Sequence, residues 1–387
     1  MEIADLSMCS GCGACVACCP AGAVDFMTDK LSRRIPEIDA SRCINCGLCV
    51  KTCPINQEYF IPEQAKGKCY AMQAKDREKI TGCASGGVAT LISRHIIEQG
   101  GHVFGCRFNE AVELEFTECS TLEDLETIKG SKYVQSDLTC CYQQIRKRLE
   151  DGKKVLVIGV PCQIAGVKGY LKKEYDNLLL IDLICHGTPP IEYLQDHLKK
   201  YKKEKLQEIR FRDKGGFILT LSDRSGRQIY TARAKRDEYY YGFLQGLTYR
   251  ENCYKCPYAS TKRVSDITIG DFWGLNKETL VREYEGPISV GIINTEKGEA
   301  LFERVKDSFI WEERELAEAV SGNDQLNRPM QTDLHDRKVF CDYYPEVGYD
   351  RAFRKTKAYK QTVRKEKIKY CLKRTALGQG LCRLWKK

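Results

Sequence analysis

Apolar residues along the chain fall into short runs that are typical of strands in a folded core. The two longest runs, Val155–Val160 and Leu178–Cys185, have the length of buried strands. They are far shorter than the roughly 20 apolar residues that a membrane-spanning helix needs. Strands that alternate with helical patterns predict an α/β sheet. The predicted strands are Lys68–Ala74, His102–Phe108, Lys154–Val160, Leu178–Ile184, Ile267–Ile269 and Ile288–Asn294, and the predicted helices are Val88–Gln99, Tyr142–Glu150 and Lys297–Ser308.

Cysteines near the N-terminus repeat one spacing twice, as Cys-x2-Cys-x2-Cys-x3-Cys-Pro. This is the pattern of bacterial dicluster ferredoxins, in which three thiolates of a run hold one [4Fe–4S] cube and the fourth cysteine ligates the other cube. The spacing therefore predicts two clusters with exchanged fourth ligands. The first is assigned to Cys9, Cys12, Cys15 and Cys53, and the second to Cys43, Cys46, Cys49 and Cys19. A hairpin is predicted between the runs, with its arms at Ala23–Phe26 and Ile35–Asp39.

Other uses of these cysteines fit the spacing less well. A disulfide framework does not suit the adjacent Cys18 and Cys19, and no export signal fits before Cys9. Zinc sites use two CxxC pairs rather than a repeated four-cysteine run that ends in proline. With 22 cysteines in the chain, we expect a reducing cytoplasm in an anaerobic organism, where iron–sulfur clusters survive.

The net charge of +9 is distributed unevenly. Residues 351–387 contain 14 Lys or Arg and one acidic residue, whereas residues 1–350 contain 48 basic and 52 acidic residues. Each oxidised cluster unit would add a charge of about −2. The body is therefore mildly acidic and the tail strongly basic. Because no nucleic-acid-binding motif accompanies the tail, we expect no nucleic-acid partner.

The basic tail also carries apolar side chains. This mixture predicts either peripheral contact with an anionic membrane or docking to an acidic electron-transfer partner. A solvated basic helix is the simplest alternative. The apolar residues are Tyr359, Val363, Ile368, Leu372, Leu381 and Trp385.

Four cysteines outside the two runs stand in places that suit a ligand. Cys253 and Cys256 form a CxxC pair before a proline, which could bind zinc, act as a redox dithiol or supply half of a cluster site. Cys162 and Cys185 each follow a predicted buried strand, and ligands gather at strand ends of α/β sheets. From the residues alone, these uses stay open.

Six motifs in the same order make the chain resemble the family of coenzyme F420 hydrogenase/dehydrogenase beta subunits from residue 1 to about residue 305. The resemblance implies an iron–sulfur flavoprotein with FAD and a third [4Fe–4S] cluster on Cys162, Cys185, Cys253 and Cys256. It does not fix the organic substrate, because members of the family act on the deazaflavin coenzyme and on other compounds. The motifs are Ala84–Gly87, Gly130–Ser136, Pro161–Gly166, Leu183–Gly187, Phe211–Lys214 and Ser265–Gly274.

Four residues are candidates for contact with the flavin. Ser85, Gly86 and Gly87 precede a predicted helix, whose first N–H groups would face a pyrophosphate. A tight turn that packs the helix on a strand is the structural alternative. Lys132 could hold a phosphate or the flavin N1–C2=O edge, where positive charge stabilises reduced flavin. Its alternative is a solvated loop lysine.

These features together predict an α+β protein, with an N-terminal bacterial-type ferredoxin domain followed by a mixed α/β flavin- and cluster-binding domain. The predicted function is that of an iron–sulfur flavin oxidoreductase that passes electrons between a low-potential one-electron carrier and an organic two-electron substrate. The alternative is a non-catalytic electron-relay subunit. The expected partner is a ferredoxin or a hydrogenase or dehydrogenase subunit, and no catalytic residue is assigned. The predicted segments are residues 1–66 (dicluster ferredoxin), 67–190 (N-terminal α/β domain of the family), 191–345 (C-terminal domain of the family) and 346–387 (basic tail).

Overall fold

The computed structural model describes residues 2–57, 67–76, 78–201, 206–213 and 216–374, with side chains up to residue 370. Its N-terminal unit contains two short helices, α1 (Ala14–Ala17) and α2 (Leu48–Thr52), and one hairpin. The hairpin strands are β1 (Val24–Thr28) and β2 (Arg34–Ile38), which pair antiparallel as the sequence predicted. Each helix begins directly after a glycine with positive φ, a conformation that glycine adopts without Cβ strain.

A mixed sheet of eight strands forms the centre of the molecule. Its strand order is β13-β3-β12-β11-β7-β6-β4-β5. The four inner strands β11, β7, β6 and β4 are parallel to one another, and the outer strands pair antiparallel. The strands of the chain after the hairpin are β3 (Lys68–Ala74), β4 (His102–Phe108), β5 (Leu114–Cys119), β6 (Val155–Gly159), β7 (Leu178–Leu183), β8 (Leu206–Asp213), β9 (Gly216–Asp223), β10 (Gln228–Arg233), β11 (Ile267–Asp271), β12 (Ser289–Ile293) and β13 (Phe309–Arg314).

Helices cover both faces of this sheet because alternate strand residues point to opposite sides. Leu156 and Ile181 pack with one layer of helices, whereas Val155 and Val157 pack with another. The first layer holds α3 and α9, and the second holds α5 and α6. The helices are α3 (Val88–Glu98), α4 (Leu122–Ile128), α5 (Cys141–Glu150), α6 (Pro161–Leu171), α7 (Ile191–Leu198), α8 (Glu238–Leu244), α9 (Glu296–Val305), α10 (Leu316–Gly322), α11 (Leu334–Val347), α12 (Tyr349–Lys355) and α13 (Arg364–Arg374).

A second antiparallel sheet, of order β10-β9-β8, lies outside the central one. It shares a core rich in aromatic residues with α7, α8, α11 and α12. The chain leaves the central sheet after β7, builds this second layer, and returns to supply β11, β12 and β13. The central sheet therefore takes strands from both sides of the boundary predicted at residue 190, and the two predicted family segments share one core.

The N-terminal unit is joined to the rest of the molecule by polar contacts. The Tyr142 hydroxyl donates to the Cys12 carbonyl at 2.9 Å, and the Tyr193 hydroxyl donates to the Leu31 carbonyl at 2.9 Å. Arg34 and Asp137 form an ion pair at 2.8 Å. These contacts come from three separate elements, so they fix the orientation of the unit as well as its position.

The described part of the basic tail packs against the second layer. Phe353 and Val363 are fully buried, and Tyr359 contacts the same core. Val363, one of the apolar residues expected to face a membrane or a partner, therefore lies inside the fold, and Tyr359 is partly buried against the same core, whereas Ile368 is exposed. The side chain of Leu372, together with Leu381 and Trp385, lies outside the described residues. Among the helices that the structure describes, none combines the length and the apolar character needed to cross a bilayer.

Candidate redox site

The first set of ferredoxin cysteines surrounds a small cavity between α1 and the residues that follow α2. Cys9, Cys12, Cys15 and Cys53 all line it. Burial raises the pKa of the Cys53 thiol to about 12, and the neighbouring thiols of Cys12 and Cys9 contribute to that rise. A thiol in such surroundings releases its proton only when a cation takes the proton's place, and iron would be such a cation. The other lining residues are mainly apolar and include Ile3, Leu6, Phe26, Pro36, Pro54 and Ile55.

The second set lies closer to solvent. Burial raises the pKa of the Cys49 thiol, and Cys19 and Cys46 are the thiols that raise it further. Cys46 is exposed. The backbone N–H of Ala23 donates to the Cys19 sulfur at 3.2 Å, the type of hydrogen bond that tunes cluster potentials. The structure thus places Cys53 with the first run and Cys19 with the second.

The third set is assembled from three separate parts of the chain. Cys162 lies at the start of α6, directly after β6, and Cys185 follows β7. Because β6 and β7 are parallel neighbours, their carboxyl ends meet at one edge of the sheet. Cys253 lies within the 3-10 helix Glu251–Lys255, and Cys256 directly follows that helix. Burial raises the pKa of Cys162, and the thiols of Cys185, Cys256 and Cys253 raise it further, so the four cysteines are neighbours.

Among the described residues, no group of three or more His, Cys, Asp or Glu side chains is arranged so that it could hold a metal ion. A tetrahedral zinc ion holds each thiolate at about 2.3 Å. The use of the third set therefore stays a prediction.

The first and third sets are also neighbours. The Cys12 sulfur would lie 3.1 Å from a Cβ added at Gly166 in α6, one turn after Cys162. Cys12 is also among the thiols that raise the pKa of Cys162. The glycine at position 166 therefore allows the N-terminal unit to approach the helix that carries Cys162. The three sets follow one another in the order second, first, third.

Arg250 lies between the first and third sets and is 2% exposed. One of its terminal nitrogens donates to the carbonyls of Cys9 at 3.1 Å and Arg34 at 2.9 Å, and the other donates to Gln135 Oε1 at 3.0 Å. Burial lowers the pKa of the guanidinium, and the Cys9, Cys253 and Cys162 thiols raise it. Its Nε is buried without a hydrogen-bond partner among the described residues. Sequence analysis missed this residue, because a lone arginine between two motifs has no spacing that marks it.

A cavity of about 580 Å³ adjoins the third set, within the range of small-molecule and cofactor sites. Cys162 and Cys185 form part of its wall, and Ser85, Gly87 and Lys132 form another part. Three of the four predicted flavin contacts therefore border the same cavity as two cysteines of the third set.

Gly86, the fourth predicted contact, serves packing. A Cβ at this position would lie 2.5 Å from the Met72 carbonyl oxygen of β3. The Gly86 N–H donates to Ser289 Oγ at 2.9 Å, so it is not available to a ligand. The tight-turn alternative applies to this residue, whereas Gly87, with φ of 84°, begins α3 at the cavity wall.

Lys132 is not a solvated loop lysine. Its ammonium group donates to the carbonyls of Ile128 at 2.7 Å and Lys129 at 2.8 Å, at the end of α4. Burial lowers its pKa, and the thiols of Cys106 and Cys119 raise it. Since an ammonium group has three donors, one remains for a ligand in the cavity.

Two aromatic residues line a further part of the cavity wall, Phe217 from β9 of the second layer and Trp273 from the segment after β11. Phe217 stacks on Trp273 with ring centroids 5.9 Å apart, and the Arg212 guanidinium lies 4.3 Å from the Phe217 ring centre. Arg212 also pairs with Asp271 at 3.0 Å. Arg212, Asp271 and Trp273 belong to motifs that carried the family resemblance, and of these only Asp271 was expected to cap backbone N–H groups or to shape the pocket. The wall offers flat apolar surfaces with one fixed cation beside them.

Comparison with known proteins identifies both parts of the chain. Residues 152–319 match the family described as the C terminus of the beta subunit of coenzyme F420 hydrogenase/dehydrogenase. Residues 8–57 match the family described as the 4Fe-4S dicluster domain.

Two curated proteins are similar to the chain over long stretches. The F subunit of F(420)H(2) dehydrogenase from Methanosarcina mazei is 26% identical over 326 residues, which cover 80% of this chain and 85% of that protein. Coenzyme F420-dependent sulfite reductase of Methanocaldococcus jannaschii is 29% identical over 219 residues, which cover 54% of this chain and 33% of that protein.

Among solved structures, the F420-reducing [NiFe] hydrogenase complex from Methanosarcina barkeri contains a chain that matches with a TM-score of 0.44 and 15% identity, over 71% of this chain and 98% of that chain. The family resemblance predicted from the motifs is confirmed by the two family matches. Over residues 8–57 the chain is similar to 4Fe-4S dicluster domains, and over residues 152–319 it is similar to the C-terminal domains of coenzyme F420 hydrogenase/dehydrogenase beta subunits, so an iron–sulfur domain and a domain of this redox family's type stand in one chain.

Proposed function

We propose that the protein is an iron–sulfur flavoprotein oxidoreductase that moves electrons between a low-potential one-electron carrier and an organic two-electron substrate in a reducing cytoplasm. The observation that carries this proposal is the position of the large cavity, whose wall includes Cys162 and Cys185. An organic molecule bound in this cavity would lie directly beside a metal cluster held by the third cysteine set.

The three cysteine sets support a path for electrons through the protein. The second set is nearest to solvent, the first is central, and the third borders the cavity. [4Fe–4S] clusters supply one-electron transfer, and FAD supplies the exchange between one-electron and two-electron chemistry. The protein holds the thiolates in this order and keeps the inner ones away from water.

The start of α3 supports FAD as the occupant of the cavity. Val88, Ala89 and Thr90 line the cavity, and the first N–H groups of a helix have no partner within the helix. Together with the remaining donor of Lys132, these groups would hold a pyrophosphate, since a helix N-terminus favours negative charge. The aromatic part of the cavity wall would leave room for a planar substrate.

A non-catalytic relay subunit is the second candidate. A relative that matches over most of its length is named as a subunit of F(420)H(2) dehydrogenase, which places that protein in a larger complex. In this reading the partner would be a hydrogenase or dehydrogenase subunit that performs the organic chemistry. The two candidates differ in whether the isolated chain turns over an organic substrate.

Anaerobic purification and reconstitution with iron, sulfide and FAD tests the proposal. We expect about twelve irons per chain, from three [4Fe–4S] groups, and one bound FAD. Cys253→Ser should retain about eight irons. The control Cys341→Ser, which changes a cysteine outside all three sets, should retain the full content of the unmodified protein. Retention of the full iron content by Cys253→Ser would contradict the third cluster.

Flavin content separates the two candidates. If the reconstituted protein binds no FAD when FAD is supplied in excess, the flavoprotein proposal fails and the relay candidate remains. If FAD binds, the isolated protein is reduced with dithionite and an organic acceptor is added. Reoxidation of the bound FAD by the acceptor, without any partner subunit, would establish an enzyme.

A further inference from the structure

A second groove, of about 500 Å³, lies at the opposite end of the cysteine sets from the cavity. One side is formed by the end of the first cysteine run, Cys18, Cys19 and Pro20, with Leu48 beside them. The other side is formed by α5, α6 and the residue that ends α6. A molecule bound in the groove would therefore lie beside Cys19, a predicted ligand of the second cluster.

Cations dominate the side of the groove that faces Cys19. Lys147 and Lys172 are exposed, and neither ammonium group forms an ion pair or hydrogen bond with a described residue. Arg146 is held in place, because its guanidinium lies 4.0 Å from the Tyr170 ring centre and donates to the Tyr170 carbonyl at 2.9 Å. Glu150 is the acidic residue that lines the groove.

The position of these cations has an electrostatic effect at this end of the molecule. Lys172 lines the same groove as Cys18 and Cys19, so its charge lies beside the cysteine run. A thiolate-bound cluster carries a net negative charge, which repels an acidic protein. Three cations at its edge offset that charge and steer an acidic surface toward it.

We propose that this groove is the docking site for the acidic surface of a soluble one-electron carrier protein. The inference rests on the proposed function, because it names the partner that supplies or removes electrons at the second cysteine set. One electron leaves the reduced carrier and enters the protein here; no bond forms or breaks, and no proton is required.

The arrangement of the cations favours a protein over a small anion or a membrane. Lys147 and Lys172 come from different parts of the chain, and the Arg146 guanidinium is partly used by the Tyr170 carbonyl. A single phosphate would need converging donors. A membrane surface would need apolar side chains beside the cations, and the groove offers mainly Leu48 and Tyr170.

Charge reversal tests the docking site in the reconstituted full-length protein. The variant is Lys147→Glu with Lys172→Glu, and the control is Lys235→Glu with Lys277→Glu, which makes the same change in net charge at two other exposed lysines. The probe is a purified acidic [4Fe–4S] ferredoxin, reduced anaerobically, and stopped-flow absorbance follows the electron transfer. Iron content checks that each variant is loaded.

At low ionic strength we expect the second-order rate constant with ferredoxin to fall at least about tenfold in the groove variant and less than about twofold in the control. The difference should shrink as salt is added, because the Debye length falls to about 8 Å at physiological ionic strength. Reduction by dithionite should be equal in all three proteins.

Equal rates with ferredoxin in the groove variant and the control would overturn the docking site. So would failure of ferredoxin to reduce the unmodified protein while dithionite reduces it. If dithionite reduces no cluster in the unmodified protein, the proposed function itself fails, and the docking site fails with it.

Discussion

Arg250 places a permanent positive charge between the first and third cysteine sets. Reduction of a cluster adds one negative charge, which a nearby cation stabilises. At the distances of neighbouring groups this stabilisation is on the order of 1 kcal/mol, or about 40 mV for a one-electron couple. We expect Arg250→Gln to lower the reduction potential of at least one cluster by this order, measured by a redox titration followed by electron paramagnetic resonance.

Two further variants separate charge from structure. Arg250→Lys retains the charge, so its potentials should lie closer to those of the unmodified protein, even though it cannot satisfy the carbonyls of both Cys9 and Arg34 as the guanidinium does. Arg227→Gln removes an exposed arginine in the turn between β9 and β10 and should leave the potentials unchanged. Equal potentials for Arg250→Gln and Arg227→Gln would show that the buried charge has no influence on the clusters.

Individual residues differ in how far the sequence reveals them. The ferredoxin cysteines can be identified from the sequence, because the predicted ligands of each cube are mostly close in sequence and the turn around the cluster fixes their spacing. Cys162 and Cys185 could be noticed only as strand ends, and the family resemblance was needed to group them with Cys253. Arg250 gave no signal, because its role depends on the carbonyls of Cys9 and Arg34, far away in the sequence.

At the level of elements, a buried histidine joins three helices of the second layer. His197 of α7 lies with its Nδ1 2.5 Å from Asp350 of α12, and with its Nε2 3.1 Å from Asp237, the N-cap residue of α8. Both neighbours are carboxylates, so both ring nitrogens must donate, which requires the imidazolium. Burial alone would lower the pKa of His197, but the two carboxylates outweigh it and raise the pKa to about 9.

This contact predicts a loss of stability in alkali. Because the folded pKa of about 9 lies above the unfolded value of 6.5, the stabilisation is complete below pH 6.5 and is lost as the pH rises through 9. The contribution is on the order of a few kcal/mol. We expect the midpoint of anaerobic thermal unfolding to fall by several degrees between about pH 6.5 and about pH 9.5.

The same measurement on two variants assigns the effect. His197→Gln should be less stable at about pH 6.5 and should lose less stability than the unmodified protein as the pH rises. His95→Gln changes a half-buried histidine on α3 that faces no carboxylate pair, and it should keep the full pH dependence. If His197→Gln keeps the full dependence as well, other groups are responsible.

The elements themselves were predicted well where a short apolar run is buried in the central sheet. The predicted strands at β3, β4, β6, β7 and β12 end within about one residue of the observed limits. The outer strands β5 and β13 were not predicted, although β5 alternates apolar and polar residues from Leu114 to Thr117, as a half-buried strand does. The helices of the second layer escaped prediction, since α8 consists largely of aromatic residues whose burial is decided by contacts with α12.

On the scale of the whole molecule, the site depends on contacts between parts that are distant in sequence. The N-terminal unit supplies Ser10 and Gly11 to the wall of the cavity, although it is a separate module in sequence. The second layer supplies Phe217 to the aromatic wall, and Arg250 lies in the segment after α8. Sequence analysis could name the modules and the candidate ligands, but not the order of the three cysteine sets, because that order follows from how the modules pack.

The tail is also part of this packing, which leads to a prediction about truncation. A chain that ends at Asp350 lacks Phe353 and Val363, which are both fully buried. It also lacks Arg354 and Lys367, which form ion pairs with the buried Glu238. Loss of one buried phenylalanine side chain alone costs roughly 3–5 kcal/mol. We expect this truncated chain to be largely unfolded or insoluble, as judged by circular dichroism and by iron content after reconstitution.

A chain that ends at Arg374 keeps all of these contacts and serves as the control. We expect it to reconstitute like the full-length protein, and a chain ending at Asp350 that does so equally well would show that the tail is not needed for the fold. Membrane contact by the basic tail is a separate proposal, because the packed segment already uses Arg354 and Lys367 for Glu238. It should therefore be tested by comparing the full-length protein with the chain ending at Arg374 on anionic vesicles. A difference seen only with the chain ending at Asp350 would report lost folding rather than lost attachment.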